Sequence, residues 1–367
     1  MKDRYRIDTH KLIYHPARVA AFVDAGDDWL KVKSIYPIYV EISPIGACNH
    51  RCTFCALDYV GYKPDTLDAD LLAQRLVEMG ERGVKSVHLA GEGEPLLHKR
   101  LTDIVVAGAD AGIDIGITTN ATLIPARFLE EALPRLQWIK ASINAGSANT
   151  YQQIHQGKAG DFERAIANLT AMAERKREQN LAVTLGAQLV LLPENRDEVA
   201  ELAAICRDRI GLDYLVIKPY SQHNFSLTQR YADIDYNAYD DLAASLEGLS
   251  SDGFQLIYRA NAIGKYADPN ARHYSRCYST PLFWAYMASN GELYSCSAYL
   301  SDKRFSLGNL LEQPFAEVWE GERRKANFEL VRNRLDISEC RRNCRMDEIN
   351  RYLFDLASGE VPHVNFI

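Results

Sequence analysis

Three cysteines fall within eight residues, Cys48, Cys52 and Cys55, in the run Cys-Asn-His-Arg-Cys-Thr-Phe-Cys. Thiolates this close can surround one soft metal centre, and a C-x3-C-x2-C loop offers three sulfurs to a cluster whose fourth iron stays open to another ligand. Structural zinc sites are closed by four protein ligands, whereas three ligands and a vacancy suit a site that binds and activates something. On spacing alone, a zinc-knuckle fragment or unligated core cysteines are the competing readings.

The elements that must position this loop are legible on both sides. Tyr36 to Ile42 reads as a buried strand stopped by Ser43-Pro44, and Gly91-Glu-Gly-Glu-Pro95 closes a second apolar stretch, Val87 to Ala90. Further strands are expected at Ile113 to Thr119, Trp138 to Asn144, Val183 to Leu192 and Tyr214 to Pro219. Helical segments lie between them, with start signals at Asp65-Thr66 before Leu67 to Met79 and at Pro193-Glu194 before Val199 to Cys206. Six βα units imply a parallel sheet with right-handed crossovers, as an open doubly wound sheet or a barrel. Either form binds ligands at the carboxyl ends of its strands, where the cysteine loop falls. Thr118, Thr119, Asn120, Ser142, Asn144, Gln188, Lys218, Tyr220 and His223 fall at or just past those ends. Turn chemistry alone also explains Thr, Ser and Asn there, but Lys218, in the apolar run Tyr-Leu-Val-Ile-Lys-Pro-Tyr, needs a partner or water if it faces inward.

Four more cysteines gather near the C-terminus: Cys277, Cys296, Cys340 and Cys344. Cys277 and Cys296 bracket a hairpin over Leu282 to Ser295, for which Asn290-Gly291 is a two-residue turn signal. Cys340-Arg-Arg-Asn-Cys344 adds two thiolates one helical turn apart, completing a set for a cluster or for tetrahedral zinc. Cys206, in an apolar helical run, reads as a buried inert thiol.

A net charge of −7 with no Lys/Arg stripe argues against a bulk nucleic-acid surface. No stretch approaches the ~18 uninterrupted apolar residues that span a bilayer, and the charged N-terminus does not read as a signal peptide, so a cytoplasmic chain without membrane contact is expected. Eight cysteines in that compartment point to metal or redox chemistry rather than disulfides.

The order of these motifs resembles the radical S-adenosylmethionine (radical SAM) superfamily, whose Gly-Gly-Glu-Pro-like turn is here Gly-Glu-Gly-Glu-Pro, with Glu92 replacing one glycine. The tail resembles the SPASM or twitch auxiliary-cluster extensions of that family. It carries Gly291 ahead of Cys296, then Leu307-Gly308-Asn309-Leu310 and the segment from Phe315 to Trp319. The resemblance implies an α/β fold: an N-terminal extension (1–35), a partial (β/α)6 TIM-like barrel (36–260) and a twitch/SPASM-like auxiliary 4Fe-4S domain (261–367). Two 4Fe-4S clusters are implied, the first on Cys48, Cys52 and Cys55 and the second on Cys277, Cys296, Cys340 and Cys344. S-adenosylmethionine would meet Phe54, Gly93, Glu94, Pro95, Thr119, Asn120, Ser142, Asn144 and Gln188. Lys218, Tyr220, His223 and Arg259 are the candidates to bind or deprotonate substrate.

By the same resemblance the expected reaction is reductive cleavage of S-adenosylmethionine to a 5′-deoxyadenosyl radical. That radical abstracts hydrogen from a small polar substrate (a sugar, aminocyclitol or nucleotide conjugate). The auxiliary cluster favours a dehydrogenase-like net oxidation, and a flavodoxin or ferredoxin would supply electrons. A peptide maturase is the alternative, disfavoured because only about 35 residues precede the first strand. A non-catalytic zinc or electron-transfer protein leaves Glu94-Pro95 unexplained.

Overall fold

The computed structural model describes residues 3–266 and 272–366. Ten strands form one mixed sheet: β1 (Tyr39–Ile42), β2 (Ser86–Leu89), β3 (Asp114–Thr119), β4 (Leu136–Ser142), β5 (Thr184–Leu191), β6 (Tyr214–Pro219), β7 (Gln255–Tyr258), β8 (Trp284–Met287), β9 (Glu292–Tyr294) and β10 (Ser306–Asn309). Their spatial order is β10-β9-β8-β1-β2-β3-β4-β5-β6-β7. From β8 through β1 to β7 every neighbour is parallel, and β9 and β10 add an antiparallel edge. β7 and β10 are the two edges, so the fold is a TIM-like partial barrel continued by the C-terminal hairpin.

The six expected strands are all present, their ends within three residues of those expected and both ends of Tyr214–Pro219 coinciding. β7 joins them as a seventh parallel strand beside β6. The helix after the cysteine loop runs from Ala69 to Glu81 and is capped by Asp68, whose carboxylate accepts from the backbone N–H of Asp70 and Leu71, not by Asp65-Thr66. Val199–Ala204 is α-helical but continues as a π-helical turn over Ile205–Ile210, and Cys206 within it is fully buried.

The hairpin also differs from the expected two-residue turn. Gly291 N–H donates to Ala288 O and Ala288 N–H to Glu292 O, which makes a three-residue loop whose last position, Gly291, takes φ +85°. That is the turn-plus-bulge solution, which needs a glycine only at its left-handed position. Cys340 to Cys344 follows a short 3-10 turn (Ile337–Glu339) as an extended and bent loop rather than a helical turn.

The auxiliary cysteines are therefore carried on strands and loops continuous with the barrel. The helix Pro16–Ala25 packs Val19 and Phe22 in one apolar cluster with Tyr278, Leu282 and Phe328, so the N-terminal extension rests on the C-terminal part of the chain. Arg324, fully buried there, donates to the carbonyls of Val32, Lys33, Ile35, Pro281 and Trp319 and lies over the Trp319 ring.

Inside the barrel two glycines make room for rings. A Cβ on Gly116 of β3 would sit 2.2 Å from the Trp138 ring of β4, and one on Gly186 of β5 would sit 2.2 Å from the Tyr214 ring of β6. The aromatic side chains lie in lanes the glycines leave open. Gly116→Ala is expected to destabilise the fold by about 1–3 kcal/mol through overpacking, read as a fall in Tm.

Candidate active site

The cysteine loop leaves β1 through Ser43-Pro44 and is held from three sides. Gly46 N–H donates to Asp65 O, Arg51 N–H to His155 O and Glu94 N–H to Ala47 O. His50, buried, pairs with Asp161 at 3.1 Å, and Asn120 donates to Asn49 Oδ1 at 2.7 Å. His155 sits beneath the loop: Nε2–H donates to Ile143 O at 2.8 Å while Nδ1 faces Cys52 Sγ at 3.2 Å. Burial pushes that imidazole down to about 3, so it is neutral.

The Gly-Glu-Gly-Glu-Pro turn packs directly on this loop. A Cβ on Gly93 would meet Ala47 O at 2.2 Å and Ile45 O at 2.4 Å, so only glycine fits. Glu94 is buried and its carboxylate accepts from Thr119 Oγ1 at 2.6 Å, Asn120 N–H at 2.7 Å and Leu96 N–H at 3.1 Å, tying the ends of β2 and β3 together. Glu92, the departure from the family's turn, is also buried and accepts from Ser289 Oγ at 2.5 Å in the β8–β9 loop. A glycine there would remove this tie between the turn and the hairpin tip.

A cavity of about 660 Å³ opens above the barrel. Cys48, Cys52, Cys55 and Phe54 line it from the loop, Gly93 and Glu94 from the turn, Thr119 and Asn120 from β3, Ser142 and Gln188 from β4 and β5, and Lys218, Tyr220 and Arg259 from β6 and the residue after β7. Cys344 lines the same cavity from the C-terminal loop. Ser142 and Gln188 hydrogen-bond each other at 3.2 Å. The side chains of Thr119 and Asn120 are engaged within the scaffold, on Glu94 and on Asn49 and Thr122.

Three of the residues expected to contact cofactor or substrate stand apart from this cavity. Pro95 is buried in the 3-10 turn Pro95–Leu97. Asn144 is fully buried at φ +57°, with Oδ1 accepting from Val190 N–H and its backbone oxygen from Asn195, so it shapes the β4 and β5 ends from below. His223 has both ring nitrogens engaged: Nε2 with Ser297 O at 3.1 Å, and Nδ1 accepting from Phe225 N–H at 3.2 Å. A neutral ring fixed at both nitrogens cannot exchange a proton with a substrate.

Further groups in and beside the cavity escaped the sequence reading. Lys140 of β4 faces inward, pushed down to about 8 by burial, with further lowering from Arg345 and Arg259. Lys218 is lowered by burial in the same way. Glu41 of β1 is bonded by Arg345, one residue beyond Cys344, and the pairing holds its carboxyl well below the usual range despite burial. Strand alternation would have revealed Lys140, which is two residues before Ser142 and so on the same face.

The thiols fit iron–sulfur centres by their own chemistry. Burial raises Cys48 to about 12 and pushes Cys52 and Cys55 up, Cys55 further raises Cys48, and Cys55 and Cys48 further raise Cys52, so binding iron is what makes three thiolates tolerable together. Cys296 is raised by burial, then by Cys344, Cys277 and Cys340, which puts the four auxiliary sulfurs in one group. Around a single zinc, four sulfurs at 2.3 Å would be only about 3.8 Å apart. Among the described residues the one ligand trio within 4.8 Å is His50, Cys52 and His155, and no three of the auxiliary sulfurs meet that limit. The wider spacing suits a multi-iron cluster rather than zinc. Asn350 Nδ2 lies 3.6 Å from Cys277 Sγ, Tyr299 Oη 3.9 Å from Cys340 Sγ, and Met346 N–H 3.4 Å from Cys344 Sγ, contacts of the kind that tune cluster potentials.

Comparison with known proteins agrees with this geometry. Residues 42–206 match the radical SAM superfamily and residues 277–345 match the SPASM iron–sulfur cluster-binding domain, together more than half of the chain. The chain belongs to the radical SAM superfamily and carries a SPASM domain, with the two kinds of iron–sulfur site and the S-adenosylmethionine that these imply. A GTP 3′,8-cyclase of Chlorobaculum tepidum is 26% identical over 197 residues, 53% of this chain and 57% of that protein, so the chain spans little more than half of that relative. An AdoMet-dependent heme synthase of Methanosarcina barkeri is 23% identical over 320 residues, 83% of this chain and 86% of that one. Streptococcus suis SuiB, solved with its precursor peptide SuiA, superposes with a TM-score of 0.64 at 18% identity, covering 85% of this chain and 69% of SuiB, a likeness of fold. No helix among the described residues is long and apolar enough to cross a membrane.

Two outcomes are expected here. Gly93→Ala must displace the cysteine loop, so iron bound per chain after anaerobic reconstitution should fall while the circular dichroism spectrum is kept. Lys140, at about 8 in the fold against a free value of 10.5, takes up a proton on unfolding between those pH values, so its contribution to stability rises with pH across that window. Lys140→Met removes a penalty of up to about 3 kcal/mol at pH 7, and its Tm advantage over wild type should shrink by pH 10.

Proposed function

We propose that this radical SAM enzyme abstracts hydrogen from a small polar molecule held in the cavity and completes a net oxidation with the help of its auxiliary centre. The observation that carries this reading is the single cavity lined by Cys48, Cys52 and Cys55 on one side and by Cys344 on the other. When bound, the iron–sulfur centres and S-adenosylmethionine supply the electron for sulfonium cleavage, the radical that takes hydrogen, and the acceptor for the electron leaving the substrate.

The chain's own residues place and shield the substrate. Ser142 and Gln188 are proposed to orient S-adenosylmethionine beside Gly93, and Lys218, Tyr220 and Arg259 to contact the substrate. Arg259 is oriented by Asp8 at 3.2 Å, which also accepts from the backbone of Asn261 at 2.7 Å, so the N-terminal segment forms part of the cavity wall. Ile7 and Thr9 line the cavity from that segment, and such closure keeps water from a reactive intermediate. A ferredoxin or flavodoxin is the proposed electron donor.

The test is anaerobic: reconstitution with iron and sulfide, reduction by dithionite, and quantification of 5′-deoxyadenosine with sugars, aminocyclitols and nucleotide conjugates as substrates. Wild type should release it, Cys52→Ala none, and Cys296→Ala should release it without product. Product from the Cys296 variant would remove the auxiliary centre from the reaction.

A further inference from the structure

Charge inside the cavity runs against that of the chain. The protein carries −7 overall, yet six cations line this space: Lys140, Lys218, Arg259, Lys265, Arg341 and Arg345. Three are matched internally. Arg259 meets Asp8, Lys265 lies 2.7 Å from both Asp347 and Glu348, and Arg345 is bonded to Glu41. Lys140, Lys218 and Arg341 have no ion pair among the described residues.

The two lysines flank β5, and β5 places no acid between them. Gly186 stands opposite Lys140, Gln188 opposite Val216, and Val190 opposite Lys218. The four charged groups acting most strongly on Lys218 are Lys140, Arg259, Arg345 and Arg341, all cations. The cation among the leading influences on Cys48 and Cys55 is Arg51, not either lysine. Arg341 stands where this cavity meets a second one of about 670 Å³, the two sharing Ser221, Lys265 and Arg341. Desolvating like charges without an anion costs free energy, and that cost is recovered only when an anion enters.

We infer that Lys140 and Lys218, with Arg341 where the cavities meet, form a subsite for a multiply charged anionic group of the substrate, a phosphoryl group or a pair of carboxylates. This rests on the reading of the cavity as the substrate chamber, and it narrows the candidates. A free aminocyclitol, itself a cation, is repelled by such a field, whereas a nucleotide conjugate or a polycarboxylic acid is drawn into it.

The experiment is calorimetric titration of the anaerobically reconstituted protein with inorganic pyrophosphate and with succinate, against sodium chloride of equal ionic strength. One probe should bind wild type in preference, which separates a phosphoryl site from a dicarboxylate site. Lys140→Gln and Lys218→Gln should each weaken it tenfold or more, while Lys218→Arg, which keeps the charge, should bind within a few-fold of wild type and so separates lost charge from lost fold. Absence of binding by both probes, or undiminished binding by cluster-loaded Gln variants, overturns the subsite. So does a fall in S-adenosylmethionine affinity with pyrophosphate and succinate binding intact, since the lysines would then serve the cofactor's own carboxylate. Release of 5′-deoxyadenosine from wild type is measured alongside. If it persists without probe binding, the anion subsite alone falls; if it is absent, the proposed hydrogen-abstracting function falls with it.

Discussion

The parallel pairing of β8 with β1 is the constraint on which the rest of the molecule depends. Tyr39 to Ile42 are hydrogen-bonded to Ser86 to Leu89 on one side and to Trp284 to Met287 on the other. Because one strand belongs to both neighbours, the loop leaving its end and the hairpin beside it have a fixed relation. Glu92 on Ser289 and Arg345 on Glu41 reinforce that relation above and inside the sheet. Cys48, Cys52 and Cys55 from the first loop and Cys344 from the C-terminal one thereby border one chamber.

Inside that chamber the protein spends polar groups freely, and nearly all are accounted for. Glu94, Thr119 and Asn120 are scaffold, and so, outside the chamber, are Asn144 and His223, which a strand-end position alone would place at the ligand. The residues left with unspent polar atoms are fewer and cluster on β4, β5 and β6. A site becomes selective through such remainders, because a group already satisfied by the fold has little to offer a ligand.

Much of the architecture was legible because local signals and chemistry coincided. The cysteine loop, the Glu94-Pro95 turn and six strands stood out through spacing and β-branched runs. β7 did not, because Gln-Leu-Ile-Tyr is four residues long and follows a polar stretch without a helical period. The start of the helix at Ala69 was misplaced because Asp65, Thr66 and Asp68 are all acceptable caps, and only the fold selects among them. The roles of Glu41 and Arg345 were invisible for a different reason. A glutamate in a strand and an arginine beside a cysteine become partners only when sequence separations of about three hundred residues are closed by the sheet.

That closure also orders events during synthesis. Chains emerge from the N-terminus, and pairings of large sequence separation form late. Cys48, Cys52 and Cys55 emerge early, whereas β8 and Arg345 arrive only with the last quarter of the chain. Until then β1 has a bare edge beside the loop, and the thiols lie open to incoming iron. The strand that fixes the hairpin beside the first loop, and the C-terminal loop that lines the finished chamber, are thus late arrivals to the nascent one.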